Sequence, residues 1–191
     1  MKRVVIVGVG ALGSHVAMFL RNIDAKLFAI DDDRVEQRNV TSQFHGKSGV
    51  GKLKVQALQQ ALDFFFRLRI DVSPNRLRDD NAEQLLGGAS LVIDCVDNGA
   101  TRRVIQSYVR RANIPCLHGA LAADGSFGRA IWDEQFIVDD ESNPGAATCE
   151  NGEFLPFIAI TAAQLALAAN VYLKSGVRNG FQISPTRTIV V

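Results

Sequence analysis

The chain has 191 residues, 47% of them apolar and 21% charged, which is enough for one globular domain with a sizeable core and unlike a disordered, collagenous or disulfide-dense protein. Twenty-one Lys and Arg against 20 Asp and Glu leave a formal charge of +1, so neither a nucleic acid nor an anionic membrane is expected as a partner. Three cysteines make no disulfide framework, and the odd count points to a reducing, cytoplasmic setting.

In chain order, strand and helix alternate. Arg3 to Val7 is a short β-branched run closed by glycine, the pattern of a strand buried on both faces. From Ala11 to Arg21 the period becomes helical, with Leu12, Val16, Phe19 and Leu20 on one face. Leu27 to Ile30 predicts a second buried strand, ending in Asp31-Asp32-Asp33. A polar loop leads to a helix over Lys52 to Phe66, with Val55, Leu58, Leu62 and Phe65 on its buried side. Leu68 to Val72 and Leu91 to Ile93 predict strands, with a short helix from Asn81 to Leu86 between them. A helix over Thr101 to Ala112 and a strand over Pro115 to Leu117 continue the alternation. Such a pattern implies parallel strands joined by right-handed crossovers, a Rossmann-like α/β sheet with helices on both faces. Beyond Gly119 it changes: Ser126 to Trp132 reads as a strand and Asp133 to Gly152 as loop, with Asn143-Pro144-Gly145 a turn. A closing strand falls near Thr188 to Val191, and one domain over residues 1–191 is the expectation.

Two segments imitate membrane signals. Met1-Lys2-Arg3 before Val4 to Val7 looks like the start of a secretory leader, but Gly8 and Gly10 break the apolar run at once. Phe154 to Leu173 is long enough to span a bilayer, yet it contains Thr161, Gln164 and Asn170 and much of its apolar content is alanine. A core helix buried all round fits that pattern, and no membrane is expected.

Gly8-Val9-Gly10-Ala11-Leu12-Gly13 is a G-x-G-x-x-G between a strand and a helix. Its first glycine permits a tight turn, its second a close phosphate, and its third the packing of helix on strand. Exposed N–H groups and the helix dipole then make an anion site. Asp31 closes the second strand about 20 residues further on, where a carboxylate can accept hydrogen bonds from a ribose. These features alone do not separate a nicotinamide dinucleotide from an adenine mononucleotide.

The segment Ile30-Asp31-Asp32-Asp33-Arg34-Val35-Glu36-Gln37-Arg38-Asn39-Val40-Thr41-Ser42-Gln43-Phe44 resembles the D-x-D-x-V-E-x-S-N-L-x-R-Q signature of the ThiF/HesA/MoeB family, the bacterial relatives of ubiquitin-activating enzymes. Val50-Gly51-Lys52-Leu53-Lys54 resembles its V-G-x-x-K, and Asp94-Cys95-Val96-Asp97-Asn98 with Arg102 its D-C-x-D-N. Ile114 to Gly119 is similar to the strand that follows, and Cys149 to Leu173 to the approach to the long final helix. The resemblance implies a fold that binds ATP with Mg²⁺ and adenylates the C-terminal carboxylate of a ubiquitin-like sulfur carrier or a peptide, releasing pyrophosphate. By position it implies that Gly8, Gly10, Gly13 and Asp31 hold adenosine, that Arg38, Asn39 and Gln43 line the triphosphate channel with Asn98 nearby, that Lys54 contacts phosphate and that Asp97 binds Mg²⁺. A carboxylate facing a triphosphate of like charge needs cations and a metal to neutralise the repulsion. A homodimer is also implied.

Several of these residues also suit purely structural roles. Asp97-Asn98 suits a helix cap, Asp33 the capping of its turn, and His15 and His118 structural positions. Cys95 suits a small buried side chain, and Cys149, near a helix start, a lowered thiol pKa. The chain departs from the family in three respects. Ser42 stands where the family has arginine, with Arg38 a candidate replacement one turn away; no C-x-x-C pair exists, so no zinc is expected; and the first strand begins at once, without the N-terminal helices of relatives. Two alternatives stay open: a non-catalytic nucleotide-binding scaffold of the same family, and an NAD-dependent oxidoreductase.

Overall fold

The computed structural model describes residues 1–122, 125–138, 154–185 and 187–190; the Asn143-Pro144-Gly145 turn and Cys149 lie outside them. Among the described residues, eight strands form one sheet in the order β3-β2-β1-β4-β5-β6-β7-β8. The parallel half consists of β1 (Arg3–Val7), β2 (Lys26–Ile30), β3 (Asp71–Ser73), β4 (Leu91–Asp94) and β5 (Cys116–Leu121). β6 (Gly128–Trp132), β7 (Phe181–Ser184) and β8 (Arg187–Val190) extend it antiparallel.

Alternation along β1 decides which helices cover which face. Val4 and Ile6 join the core with α1 (Ala11–Phe19), α2 (Lys54–Phe66) and α5 (Leu155–Ser175). Val5 and Val7 point the other way, into the core beneath α3 (Ala82–Leu86) and α4 (Gly99–Ala112). The chain moves from β1 outward to β2 and β3, then crosses back to β4 on the other side of β1. The C-terminal ends of β1 and β4 therefore flank the point where strand order reverses, which is where open α/β sheets leave a crevice for ligands.

Several elements differ from the sequence-based expectation. β3 starts at Asp71 rather than Leu68, because Arg67 ends α2 in the left-handed region (φ 55°) and its N–H turns back to the carbonyls of Asp63 and Leu62. Phe65 was expected on the buried side of α2, but 64% of it is exposed. The last turn of α2 packs on Phe44 of the preceding loop, with Phe65 and Phe66 centroids 6.3 and 6.4 Å from it. Phe19, expected on the buried face of α1, is also exposed at that helix's end. α5 is not buried all round: Phe157, Thr161, Leu165 and Ala169 face the sheet, while Ile160 and Leu167 are about half exposed. It passes a membrane span's test of length and composition, yet it packs beside α1. β7 has no counterpart in the sequence reading, because four residues with two polar members carry too little pattern.

Candidate functional site

The glycine loop follows β1 directly. Gly8 has φ +84°, and its N–H donates to the Ile30 carbonyl at 2.8 Å. A Cβ there would lie 2.9 Å from the Cys95 carbonyl oxygen, and one at Gly13 only 1.9 Å from the Gly8 oxygen. Those two glycines are required by backbone approach. Gly10 is different: the nearest heavy atom to its missing Cβ is Gln43 Nε2 at 3.9 Å. The missing side chain leaves the N-terminus of α1 open, and no side-chain cap covers that terminus. Free N–H groups and an open approach are what an anionic group needs.

Asp31 braces this loop. Its Oδ2 accepts the Val9 N–H at 2.7 Å and its Oδ1 the Asp33 N–H at 2.9 Å. Burial raises its pKa, while nearby Lys54 acts in the opposite direction. Lys54, the first residue of α2, is itself mostly buried, and its Nζ donates to Asp33 Oδ2 at 2.8 Å. The Lys54 backbone N–H also donates to the Asp33 carbonyl at 2.8 Å, so Lys54 is tied to Asp33 by two bonds, one from its ammonium and one from its backbone.

Between β2 and α2 the chain makes 3₁₀ turns at Gln37–Thr41 and Lys47–Gly49. Asn39 is buried, and its Oδ1 accepts the Glu36 N–H at 2.8 Å in a capping box. Arg38 is exposed, and its Nε donates to Glu36 Oε2 at 2.7 Å. Ser42 Oγ, Gln43 Oε1 and His45 Nδ1 are buried without a hydrogen-bond partner. His45 Nε2 lies 3.0 Å from the Val9 carbonyl. Burial pushes the His45 pKa down to about 4, so near neutral pH its Nε2–H donates to the glycine loop and Nδ1 keeps a free lone pair.

The third component follows β4. Asp97 is an exposed carboxylate two residues beyond Cys95, whose carbonyl meets Gly8. Asn98 caps α4, its Oδ1 accepting the Thr101 N–H at 2.9 Å. Asp94, fully buried at the end of β4, accepts the Val96 N–H at Oδ1 (3.0 Å) and His118 Nδ1 at Oδ2 (2.8 Å). Arg102 Nη2 donates to the carbonyls of Val96 at 2.5 Å and Gly119 at 2.9 Å, with Nη1 3.7 Å from Asp94. His118 Nε2 reaches Asp133 Oδ1 at 3.1 Å, and Phe136 stacks on the ring at 3.9 Å. Burial opposes the charged imidazole, but Cys116 beside it and the carboxylates of Asp133 and Asp94 push its pKa up to about 11. Burial likewise works against ionised Asp133, yet hydrogen bonds from His118, Arg110 and Gln106 bring it down to about 2.

Gly8, Gly10, Gly13, Asp31, Gln43, Lys54 and the loop that carries Asp97 thus lie around the C-terminal ends of β1, β2 and β4, where the strand order reverses. Arg38 is turned to Glu36, and the Asn39 and Asn98 side-chain oxygens serve their own turn and helix. From the sequence alone, Asp33 suits only a turn and His118 only a structural place. Asp33 fixes Lys54, a contact across 21 residues that only the 3₁₀-rich loop brings about. A signal for the His118 contact was present: Asp94 and His118 are polar residues at the ends of apolar runs on adjacent parallel strands, paired in register.

A five-stranded parallel core with a glycine loop at its reversal point defines a Rossmann-like nucleotide-binding domain. The particular family follows from comparison: the sequence model of the ThiF family matches residues 1–181, and the chain belongs to that family. It is 34% identical over 125 residues to the SAMP-activating enzyme E1 of Haloferax volcanii, covering 62% of this chain and 45% of the relative. It is 34% identical over 122 residues to the molybdopterin-synthase adenylyltransferase of Salmonella typhimurium, covering 62% and 49%. The chain therefore spans about half the length of these curated relatives. Among solved structures, E. coli MccB with ATP superposes with a TM-score of 0.78 at 16% identity, over 100% of this chain and 62% of that one. That likeness concerns the fold.

Proposed function

We propose that this chain binds ATP with Mg²⁺ at the crevice between β1 and β4 and adenylates the C-terminal carboxylate of a ubiquitin-like carrier or peptide. The observation that carries the reading is the open Gly10 approach lying beside a buried, Asp33-held Lys54 and an exposed Asp97, in a chain of the ThiF family. The residues fit the ligand. The uncapped α1 terminus suits a phosphate, and Mg²⁺ takes one or two carboxylates together with substrate phosphate oxygens, as Asp97 would provide. Bound there, the metal would neutralise charge on the phosphates.

The chain's own groups have separable tasks. Asp31 holds the glycine loop and offers a carboxylate edge to a ribose. Gln43 places an amide beside Gly10. Lys54 supplies a fixed positive charge that does not have to be reorganised as charge develops. In the reaction an oxygen of the acceptor carboxylate bonds to the α-phosphorus, the α–β bond breaks, and pyrophosphate leaves with the electron pair. With this reading go a homodimer and a cytoplasmic setting, the latter in keeping with free thiols at Cys95 and Cys116.

The reaction is tested by ATP–pyrophosphate exchange. Radiolabel should pass from pyrophosphate into ATP only when a Gly-terminated carrier or peptide is present, and Lys54→Ala should lower the rate on the order of 10²-fold or more. Exchange that never appears across a panel of free C-terminal carboxylates, in protein that binds ATP, would favour the scaffold reading.

A further inference from the structure

The buried ion cluster behind β4 is unused by the chemistry above. Asp94, His118 and Asp133 form one chain of hydrogen bonds, anchored at its far end by Arg110 Nε on Asp133 Oδ2 at 2.7 Å and Gln106 Nε2 on Oδ1 at 3.1 Å. Both ring nitrogens of His118 face carboxylates, so both donate. Such clusters are seldom more stable than well-packed apolar residues of the same volume, so stability does not account for one. What it holds is specific. At its near end, Asp94 takes the Val96 N–H and Arg102 takes the Val96 carbonyl, so both backbone groups of the residue before Asp97 are fixed. The residue after Asp97 is fixed as the α4 cap. Asp97 is thus the exposed point of a loop gripped on either side, and His118 provides the side-chain hydrogen bond that sets the Asp94 carboxylate.

We propose that His118 is a positioning residue for the nucleotide site: its Nδ1–H fixes Asp94, Asp94 fixes the Val96 amide, and together they set where Asp97 presents its carboxylate to the metal–nucleotide. The inference rests on the ATP–metal reading given above. It differs from a structural role in being directional, since only the Nδ1 side faces Asp94 while Nε2 faces Asp133. Partners that orient a metal-binding group change affinity 10–100-fold when removed.

Two variants separate the sides of the ring. In His118→Gln the amide lies near the Nε2 position, keeping a donor to Asp133 and losing the one to Asp94; in His118→Asn it lies near Nδ1 and keeps the donor to Asp94. Two readouts apply: hydrogen exchange of the Val96 amide in nucleotide-free protein, and Mn²⁺ affinity in the presence of ATP, followed by electron paramagnetic resonance. His118→Gln should speed Val96 exchange and weaken Mn²⁺ binding by tenfold or more, with His118→Asn close to wild type on both. Should His118→Gln not fold, Asp94→Asn, which has one side-chain oxygen for the two donors Val96 N–H and His118 Nδ1–H, should still speed Val96 exchange several-fold. Wild-type Val96 exchange and Mn²⁺ affinity in these variants, while Asp97→Ala loses Mn²⁺–ATP, would overturn this inference alone. A wild-type protein that binds no Mn²⁺–ATP, or an Asp97→Ala that binds it normally, would overturn the proposed function and this inference with it.

Discussion

The three glycines of the loop have unequal reasons to be glycine, and substitutions should divide accordingly. Gly13→Ala would place a Cβ 1.9 Å from the Gly8 oxygen, a backbone clash that has to displace α1 from β1. At Gly10 the missing Cβ would have 3.9 Å of clearance. We therefore expect Gly10→Ala to unfold in urea within about 0.5 kcal/mol of wild type while losing at least tenfold in ATP affinity, because its methyl fills the approach to the α1 terminus. Gly13→Ala should lose several kcal/mol of stability or fail to fold. An unchanged ATP affinity in Gly10→Ala would place the nucleotide elsewhere. The position of these glycines was legible because the motif is local: a turn, a close approach and a packing contact within six residues. The Asp33–Lys54 bond was not, since one aspartate in a run of three looks like any other until a loop of about 20 residues folds its partner back onto it.

Among the elements, α2 shows most directly what periodicity conveys and what it omits. The spacing of Val55, Leu58 and Leu62 marks the face that meets the sheet, and all three are fully buried. The same spacing extends to Phe65, but the helix has by then reached its end, and Arg67 turns the chain in the left-handed region. Periodicity gives a face; it does not say how far the neighbouring layer reaches. Leu62→Ala should cost about 2–5 kcal/mol, whereas Phe65→Ala, lost from an exposed cluster with Phe44, Phe64 and Phe66, should cost under about 1 kcal/mol in the same urea unfolding measurement. Equal costs would mean that the last turn is buried after all. Strands β1, β2 and β4 are legible from their apolar runs for a related reason, as strands buried on both faces need no alternation. β7, pairing antiparallel with exposed Gln182 between Phe181 and Ile183, gave no comparable run.

At the scale of the whole molecule, two histidines impose opposite pH dependences. His45 is held neutral, its pKa down at about 4, so its contribution is complete above the unfolded value of 6.5 and is lost as pH falls toward 4, about 3 kcal/mol in all. His118 is held charged, its pKa up at about 11, so its contribution is complete below 6.5 and declines as pH rises toward 11. Urea unfolding from pH 4 to 9 should therefore show greatest stability near pH 6–7. His45→Gln should make the acid limb shallower, leaving the part due to His15, whose pKa burial also lowers, and His118→Asn should flatten the alkaline limb. A wild-type profile that is flat over this range would mean that neither imidazole is buried in the protonation state described.

The topology places these groups: β1 and β4 lie side by side at the reversal of strand order, so loops separated by more than 80 residues share one crevice. On the proposed function, ATP binds at this reversal through the open Gly10 turn and a metal through Asp97. That binding is tested most directly by calorimetric titration of ATP, with and without Mg²⁺, into wild type, Gly10→Ala and Asp97→Ala. The prediction is ATP binding that Mg²⁺ strengthens, with Gly10→Ala weak under both conditions and Asp97→Ala losing only the gain from Mg²⁺. ATP binding indifferent to both substitutions, or no binding by the wild-type chain, would contradict it.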